Sequence, residues 1–540
     1  MAKRLTPRQK KWIERTVNND RSYKAFVYNR ALVCIFFLIV QLGVTVTLLM
    51  LGNFGWVWQL VVGVFSIAGA IYLAGREQRL PTRTLWIILL LALPFVGVPL
   101  YLLYGDGRTN YRMAKRYDAA HTILYTHAQE GANPAPASKQ DKAQPLPILT
   151  LAGRMGCDAY SDGEITFYPT GKELYAEMIT ALKSAEKFIF LEYFILAGGK
   201  MWSEILAILL QKAAEGVQVK LIYDDFGSIF CLPPKYDKYL ETLHPNIECL
   251  AFNKVYPIFK ATYNHRDHKK ILVVDGLVAF TGGVNIADEY IDEKKRFGYW
   301  KDTGVRITGG GARAFTKIFL ETWIAVKDGD CDPAPYLSWE TGGETLAKVV
   351  GDKARKTKKT EQTIIPFADN PLRQKQVSEG VLFQMISSAQ KRLYITTPYL
   401  VLDELLRHSL CMAAARGVDV RIVTPGIPDK KTVYRLTRAN YEGLLRAGVR
   451  IYEYTPGFLH AKQTLADDGA VVGTTNYDYR SLYLHFENGV YFQGCDAVES
   501  VEKDFGHLFL SSKEQTISMR KRGVFGRVFD TFLRVFEPLL

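Results

Sequence analysis

Apolar residues gather in two different ways along this chain. From Ala31 to Gly75 there are 45 residues without one Asp, Glu, Lys or Arg. About 20 apolar residues span a bilayer core, so this run is long enough to cross twice. Gly52-Asn53-Phe54-Gly55 supplies a turn between helices over about 31–51 and 56–74. A third uncharged run, Thr84 to Gly105, predicts a helix over about 84–104. Pro94, Gly97 and Pro99 make it a kinked span or a re-entrant hairpin. Residues 31–105 therefore read as a transmembrane region. Residues 129–148, rich in Ala, Pro, Gln and Lys, lack helical periodicity and read as an exposed linker within a wider connecting stretch, 106–159.

Beyond the linker, helix-spaced and strand-like segments alternate. An amphipathic helix from Gly171 to Glu186 leads into a buried strand over 187–195. A second helix, 203–215, leads through Gly216 to the strand VQVKLIYDD. This is βαβ logic and predicts an α/β fold with a mixed or mainly parallel sheet flanked by helices. The pattern then recurs in order. Ala185-Glu-Lys-Phe-Ile-Phe resembles Ala389-Gln-Lys-Arg-Leu-Tyr-Ile, and Gly216-Val-Gln-Val-Lys-Leu-Ile resembles Gly417-Val-Asp-Val-Arg-Ile-Val. Gly282-Gly-Val-Asn285 resembles Gly473-Thr-Thr-Asn476, and Asp302-Thr-Gly-Val305 resembles Glu487-Asn-Gly-Val490. A repeat this long is one domain fold present twice, not a solenoid.

The 540 residues are 48% hydrophobic and 23% charged, which excludes global disorder. The net charge of +13 points to an acidic partner, either nucleic acid or an anionic membrane. Its distribution decides between them. Residues 1–30 hold nine Lys/Arg against two Asp/Glu, and residues 519–540 hold five against two, while 106–518 are close to balance. Basicity that flanks apolar runs favours membrane over nucleic acid and places residues 1–30 in the cytoplasm. Three full passes would then put the remainder outside, against the basic Arg108, Arg112, Lys115 and Arg116; a re-entrant third segment removes the conflict. The seven scattered cysteines form no CxxC pair and read as unpaired thiols.

The chemistry falls at equivalent points of the two copies. His268-Lys-Lys270-Ile-Leu-Val-Val-Asp275 and His460-Ala-Lys462-Gln-Thr-Leu-Ala-Asp467 both fit H-x-K-x4-D. Two residues apart on a strand share a face, so each imidazole sits beside an ammonium, an arrangement suited to an anionic phosphate. Over about residues 160–510 the chain resembles the phospholipase D superfamily, whose signature is this paired motif. Within it, EYFILAGGKMW with LIYDDFGS, GGVNIADEY and GTTNYDYRSLYLHFEN resemble the bacterial cardiolipin synthase family, as does LPFVGVPLYLLYG in the membrane region. His485 departs from that family, which usually has Asn there.

A neutral imidazole can attack phosphorus in line to give a phosphohistidine. A second imidazole can protonate the leaving oxygen and then take a proton from the incoming alcohol. Lys270, Lys462, Asn285 and Asn476 are expected to stabilise the phosphoryl oxygens. Asp302 and Glu487 are expected to accept from the far imidazole nitrogens and fix their tautomers. Sequence pseudo-symmetry leaves both histidine roles open; superfamily analogy makes His268 the nucleophile and His460 the acid/base. The resemblance implies that Asp275 and Asp467 brace the backbone or the lysines. No metal or other cofactor is expected, since the lysines already supply positive charge. The resemblance also implies a multi-pass enzyme of the bacterial cell membrane that joins two phosphatidylglycerols into cardiolipin and glycerol. A phospholipase D or a phosphatidylserine synthase-type transferase, using a different acceptor, is the alternative.

The expected organisation is a basic segment 1–30, the membrane region 31–105, a linker 106–159, a first phospholipase D-like domain 160–345, an inter-domain linker 346–370, a second domain 371–512, and a C-terminal helix 513–540. In that last helix Val524, Phe525, Val528, Phe529, Phe532, Val535, Phe536, Leu539 and Leu540 follow helical spacing among or after basic residues. It predicts either a helix packed on the protein core or in-plane binding to anionic lipid. Asp224 and Asp225 read as acceptors for loop amides, His265 as a structural residue, and the basic stretch 351–361 as solvated linker.

Overall fold

The computed structural model describes residues 55–76, 80–105, 111–131, 147–255, 264–337, 362–373, 376–520 and 523–535, with short helical pieces between 36 and 50. The expected first apolar helix and the 351–361 stretch thus lie largely or wholly outside the described residues. The second apolar helix is present as Gly55–Ala74, and Trp56–Ala74 is the one described helix long and apolar enough to cross a membrane.

The third apolar run is not one rod. A helix Leu80–Ala92 breaks at Leu93, and a second, Pro94–Leu100, follows and widens into a π-turn at Tyr101–Gly105. A Cβ added to Gly97 would lie 2.7 Å from the carbonyl oxygen of Leu89. Residues eight apart on a straight helix are separated by about 12 Å. The run therefore doubles back on itself, which Pro94 and Gly97 permit and a continuous helix over 84–104 does not. Leu73, Trp86, Leu90 and Tyr101 close this small apolar cluster.

The repeat folds as two sheets of matching topology. The first carries β1 (Ile165–Tyr168), β2 (Phe188–Tyr193), β3 (Gln218–Asp224), β4 (Ile247–Phe252), β5 (Lys270–Val274), β6 (Val278–Gly282) and, after a short β7 (Tyr299–Lys301), β8 (Gly304–Thr308). Its order is β1-β8-β6-β5-β2-β3-β4. The second carries β9 (Thr363–Ala368), β10 (Arg392–Thr396), β11 (Asp419–Pro425), β12 (Arg450–Tyr454), then β13 (Gly457–Leu459), β14 (Gln463–Ala466), β15 (Gly469–Gly473), β16 (Asn488–Gln493) and β17 (Ser512–Gln515). Its order is β17-β12-β11-β10-β14-β15-β16-β9. The same arrangement appears twice, with β17 added at one edge.

The sheets are mixed, and antiparallel pairs outnumber parallel ones, so a mainly parallel sheet is not what forms. Within the two large sheets parallel pairing is confined to β2-β3-β4 and β10-β11-β12. Parallel neighbours need a long crossover, and helices such as Lys200–Ala214 and Glu404–Ala415 supply it there. Past that point β5–β6 and β14–β15 are joined by tight turns, which allow only antiparallel pairing.

Two boundaries also fall elsewhere. β9 lies inside the stretch read as inter-domain linker, yet pairs with β16 along its length. Its Pro366 is tolerated because β9 is an edge strand whose outer side meets only a single bridge, from Ile364 to Tyr160, and leaves the position of Pro366 without a partner strand. The stretch read as a linker, 106–159, contains the helices Tyr111–Gly131 and Pro147–Arg154. In the first of these Tyr117, Ala120 and Leu124 form a narrow buried stripe. Tyr117 stacks on Phe486 of the second domain, with ring centroids 5.1 Å apart. Between the sheets, residues of both copies share one core, including Phe190, Phe319, Trp323, Leu459, Phe486 and Phe505. The two domains are thus one packed body with the motif strands near its centre.

Candidate active site

The two H-x-K motifs meet across the inter-domain surface. His268 lies just before β5, and its backbone N–H donates to the Phe486 carbonyl of the other copy at 2.8 Å. His460 lies between β13 and β14, and its N–H donates to the Lys301 carbonyl at 2.7 Å. β7 and β13 pair in parallel and stitch the copies together beside the second motif.

The side chains cross in the same way. His268 Nδ1 is 2.8 Å from Glu487 Oε2, and His460 Nδ1 is 2.6 Å from Asp302 Oδ2. Each imidazole is therefore held by the carboxylate of the opposite copy. Each carboxylate is itself fixed. Asp302 Oδ1 accepts from its neighbour Thr303 N at 2.9 Å, and Thr474 donates to Glu487 at 2.5 Å. A Cβ on Gly283 would stand 1.9 Å from Asp302 Oδ1, so the GGVN segment needs glycine for that carboxylate to seat. With Nδ1 donating to a carboxylate, each ring keeps Nε2 as its nucleophilic or proton-accepting atom.

Lys270 Nζ donates to the His268 carbonyl at 2.7 Å. Lys462 Nζ is bonded to the His460 carbonyl and lies 2.9 Å from His460 Nδ1. All four groups are buried. Burial first, then Lys270 and Lys462, holds His268 well below the usual imidazole range. Burial and Lys462 bring His460 down to about 4 despite Asp302. Burial lowers Lys270 to about 7 and Lys462 to about 8, with Asp302 and Glu487 opposing it. The pocket thus sets neutral imidazoles among ammonium groups that an arriving anion would stabilise.

Asn285 and Asn476 are both buried beside the motifs. Asn285 accepts from Ile195 N at 3.0 Å and donates to the Tyr290 hydroxyl at 2.6 Å. Asn476 donates to Ser481 Oγ at 3.1 Å. Asp275 and Asp467 stand outside the pocket. Asp275 accepts from the N–H groups of Glu186, Lys187 and Phe188 at 2.8, 2.8 and 2.7 Å. Asp467 does the same for Gln390, Lys391 and Arg392 at 2.8, 2.8 and 3.1 Å. They tie the turn after the motif strand to the start of its neighbour. Asp224 and Asp225 accept from Gly227, Asp267 and Val255 amides, and His265 contacts the Leu484 carbonyl at 3.0 Å.

Some neighbours carry no sequence signal of their own. Phe194 packs edge-on against His268 at 4.8 Å, and Tyr290 and Trp300 lie 5.5 Å from the His460 ring. Lys269 alternates away from the pocket to Glu192 at 2.6 Å on the far side. Strand alternation inside H-K-K is the one cue for that. His485 lies 5.6 Å from the His268 ring and 3.7 Å from Glu487 Oε1, and burial pushes it down to about 3. His268, His485 and Glu487 bring one ligand atom each within 4.8 Å, the one such metal-capable trio among the described residues. Lys270 and Lys462 beside it repel a cation and favour an anion.

Comparison with known proteins agrees with this chemistry. The family model described as "Cardiolipin synthase, PLD-like domain" matches twice, over residues 178–298 and 382–509. A cardiolipin synthase of Alkalihalophilus pseudofirmus is 34% identical over 86% of this chain and 90% of its own length. One of Halalkalibacterium halodurans is 33% identical over 95% of this chain and all of its own. An uncharacterized protein of Streptococcus mutans is 38% identical over 88% of this chain. The crystal structure of phosphatidylserine synthase from Haemophilus influenzae shares the fold, with a TM-score of 0.53 at 16% identity over 73% of this chain. With both motifs meeting in one pocket and relatives matched nearly end to end, the chain belongs to the cardiolipin synthase family of the phospholipase D superfamily and is a phospholipid phosphatidyltransferase.

Proposed function

We propose that this enzyme makes cardiolipin and glycerol from two phosphatidylglycerols. The observation that carries the reading is the buried cluster in which each motif histidine is braced by the other copy's carboxylate beside a motif lysine. With both imidazoles neutral, Lys270, Lys462, Asp302 and Glu487 balance in charge. A phosphodiester adds one negative charge, which a proton taken up by His460 offsets. Substrate entry therefore creates the general acid that the empty pocket lacks.

His268 Nε2 attacks phosphorus while the bond from phosphorus to the glycerol oxygen breaks. His460 gives its proton to that oxygen, and glycerol leaves. The glycerol hydroxyl of a second phosphatidylglycerol then loses its proton to His460. Its oxygen bonds phosphorus as the P–N bond breaks, which releases cardiolipin. Lys270, Lys462, Asn285 and Asn476 stabilise charge on the phosphoryl oxygens. Asp302 and Glu487 position the rings, and Asp275 and Asp467 act on the fold alone.

The reading also takes residues 31–105 as a multi-pass anchor in the cell membrane, with 1–30 on the cytoplasmic side. The apolar helix Trp56–Ala74 and the doubled-back run after it support this. Intermediate trapping tests the mechanism. Enzyme turning over phosphatidylglycerol labelled in its phosphate, quenched in alkaline detergent, is expected to carry label on the peptide holding His268. His268→Asn is expected to carry none. Label on His460 would reverse the roles, and no label on a protein that is turning over would overturn the covalent route.

A further inference from the structure

The C-terminal helix, Val524–Val535, turns Asp530 to the protein and leaves Phe525 and Val528 exposed. Arg435, on the helix Lys431–Arg446, donates to the buried Asp530 at 2.7 Å and to the Gly526 carbonyl. Its guanidinium lies 4.4 Å from the Phe529 ring centroid. Arg534 bonds the Ala439 carbonyl of the same helix. Against this, Phe525 is 93% exposed and Val528 is 64% exposed. An amphipathic helix with nothing but packing to satisfy would bury these two and expose Asp530.

The surroundings identify what this face meets. Tyr479 and Arg534 line one groove of about 540 Å³, together with Val401, Arg407 and Asn440. Tyr479 also touches Thr82, at the foot of the doubled-back apolar run, at 2.5 Å between hydroxyls. The base of the apolar N-terminal region and the last turn of the C-terminal helix therefore flank the same groove. On the helix Glu404–Ala415 beside it, Leu405 and Met412, one heptad apart, are both exposed. Arg520, Lys521 and Arg522 immediately precede the C-terminal helix in sequence.

We propose that this side of the second domain lies on the surface of an anionic bilayer. The C-terminal helix is embedded in the plane of the membrane to the depth of Phe525 and Val528. The catalytic body is then held at two points, by the N-terminal region and by this helix. The loop from Tyr399, which bonds Asp429, to Asp403 at the groove links the bilayer side to the second domain's strand ends. The inference rests on residence at a membrane, not on which product is made, and its readout does not depend on turnover.

The test uses the full chain in phosphatidylglycerol nanodiscs, with a benzoylphenylalanine photo-crosslinker replacing Phe525 or, as a control on the first domain, Gln211. Lipid adducts are expected at 525 and not at 211. Crosslinks from 525 only within the chain, or to a second copy, would overturn the proposal. A second measurement uses trypsin. Cleavage at Arg527 and Arg534 is expected to be blocked in phosphatidylglycerol discs and restored by the double substitution Phe525→Glu, Val528→Glu, with an unchanged Tm. Equal cleavage of both proteins would count against it.

Discussion

A buried imidazole between two ammonium groups stays neutral far into the acid range, and a buried ammonium gives up its proton near neutrality. These facts set the pH dependence. On the proposed mechanism the free enzyme needs Lys270 and Lys462 charged to receive the phosphodiester, and burial brings these down to about 7 and 8. It needs His268 neutral, and that group lies well below its usual value. Because His460, at about 4 in the free enzyme, takes up a proton along with the substrate, kcat/KM is expected to fall as pH rises above about 4–5, and to fall more steeply through 7–8 as the lysines lose their protons. In the complex the bound anion raises the lysines, so the alkaline limb of kcat is expected at higher pH than that of kcat/KM. An alkaline limb of kcat/KM only above pH 10 would contradict the burial argument. At this scale the sequence was informative about identity and weak about partnership. H-x-K-x4-D marked His268, Lys270, His460 and Lys462. Nothing local told Asp302 that its imidazole would be His460 of the other copy, because that choice is made by the packing of two sheets. Lys269 shows the reverse: one step along the strand puts it on the opposite face, against Glu192.

Turns rather than strands fix how each motif is presented. Asp275 and Asp467 both adopt positive φ, at 55° and 48°, and both collect three backbone N–H groups. They differ in burial. The Phe188 N–H held by Asp275 is buried, whereas two of the three donors held by Asp467 face solvent. An unpaired buried donor costs about 1–3 kcal/mol, while an exposed one finds water. Asp275→Ala is therefore expected to destabilise by about 2–4 kcal/mol and Asp467→Ala by roughly half that, read as the fall in Tm. Equal losses would show that the turns, not the buried donors, dominate. Helices and strands of the repeat were legible from periodicity, since their apolar faces meet a core within their own domain. The helix Tyr111–Gly131 was not, because its stripe is only Tyr117, Ala120 and Leu124 in a polar segment. Nor was the direction of pairing, which depends on what lies between strands: helices leave β2-β3-β4 parallel, and tight turns make β5–β6 antiparallel. The third apolar run showed its Pro94 and Gly97, but only the close approach of Gly97 to Leu89 makes them a reversal.

Across the whole molecule, duplication has become interdependence. Neither copy holds a complete site, since each histidine takes its carboxylate and its backbone acceptor from the other, and the two share one core. The near-balance of charge over residues 106–518 fits this. On the proposed mechanism catalysis rests on two local lysines, while the excess basicity lies towards the ends of the chain, beside the apolar runs and the C-terminal helix. The central claim is that the acceptor is a second phosphatidylglycerol. Mass spectrometry of the lipids formed by purified enzyme in phosphatidylglycerol liposomes tests it most directly. Cardiolipin with one free glycerol per molecule is the predicted result, lost in His268→Asn and His460→Asn. Phosphatidic acid as the sole product would contradict the account and make water the acceptor.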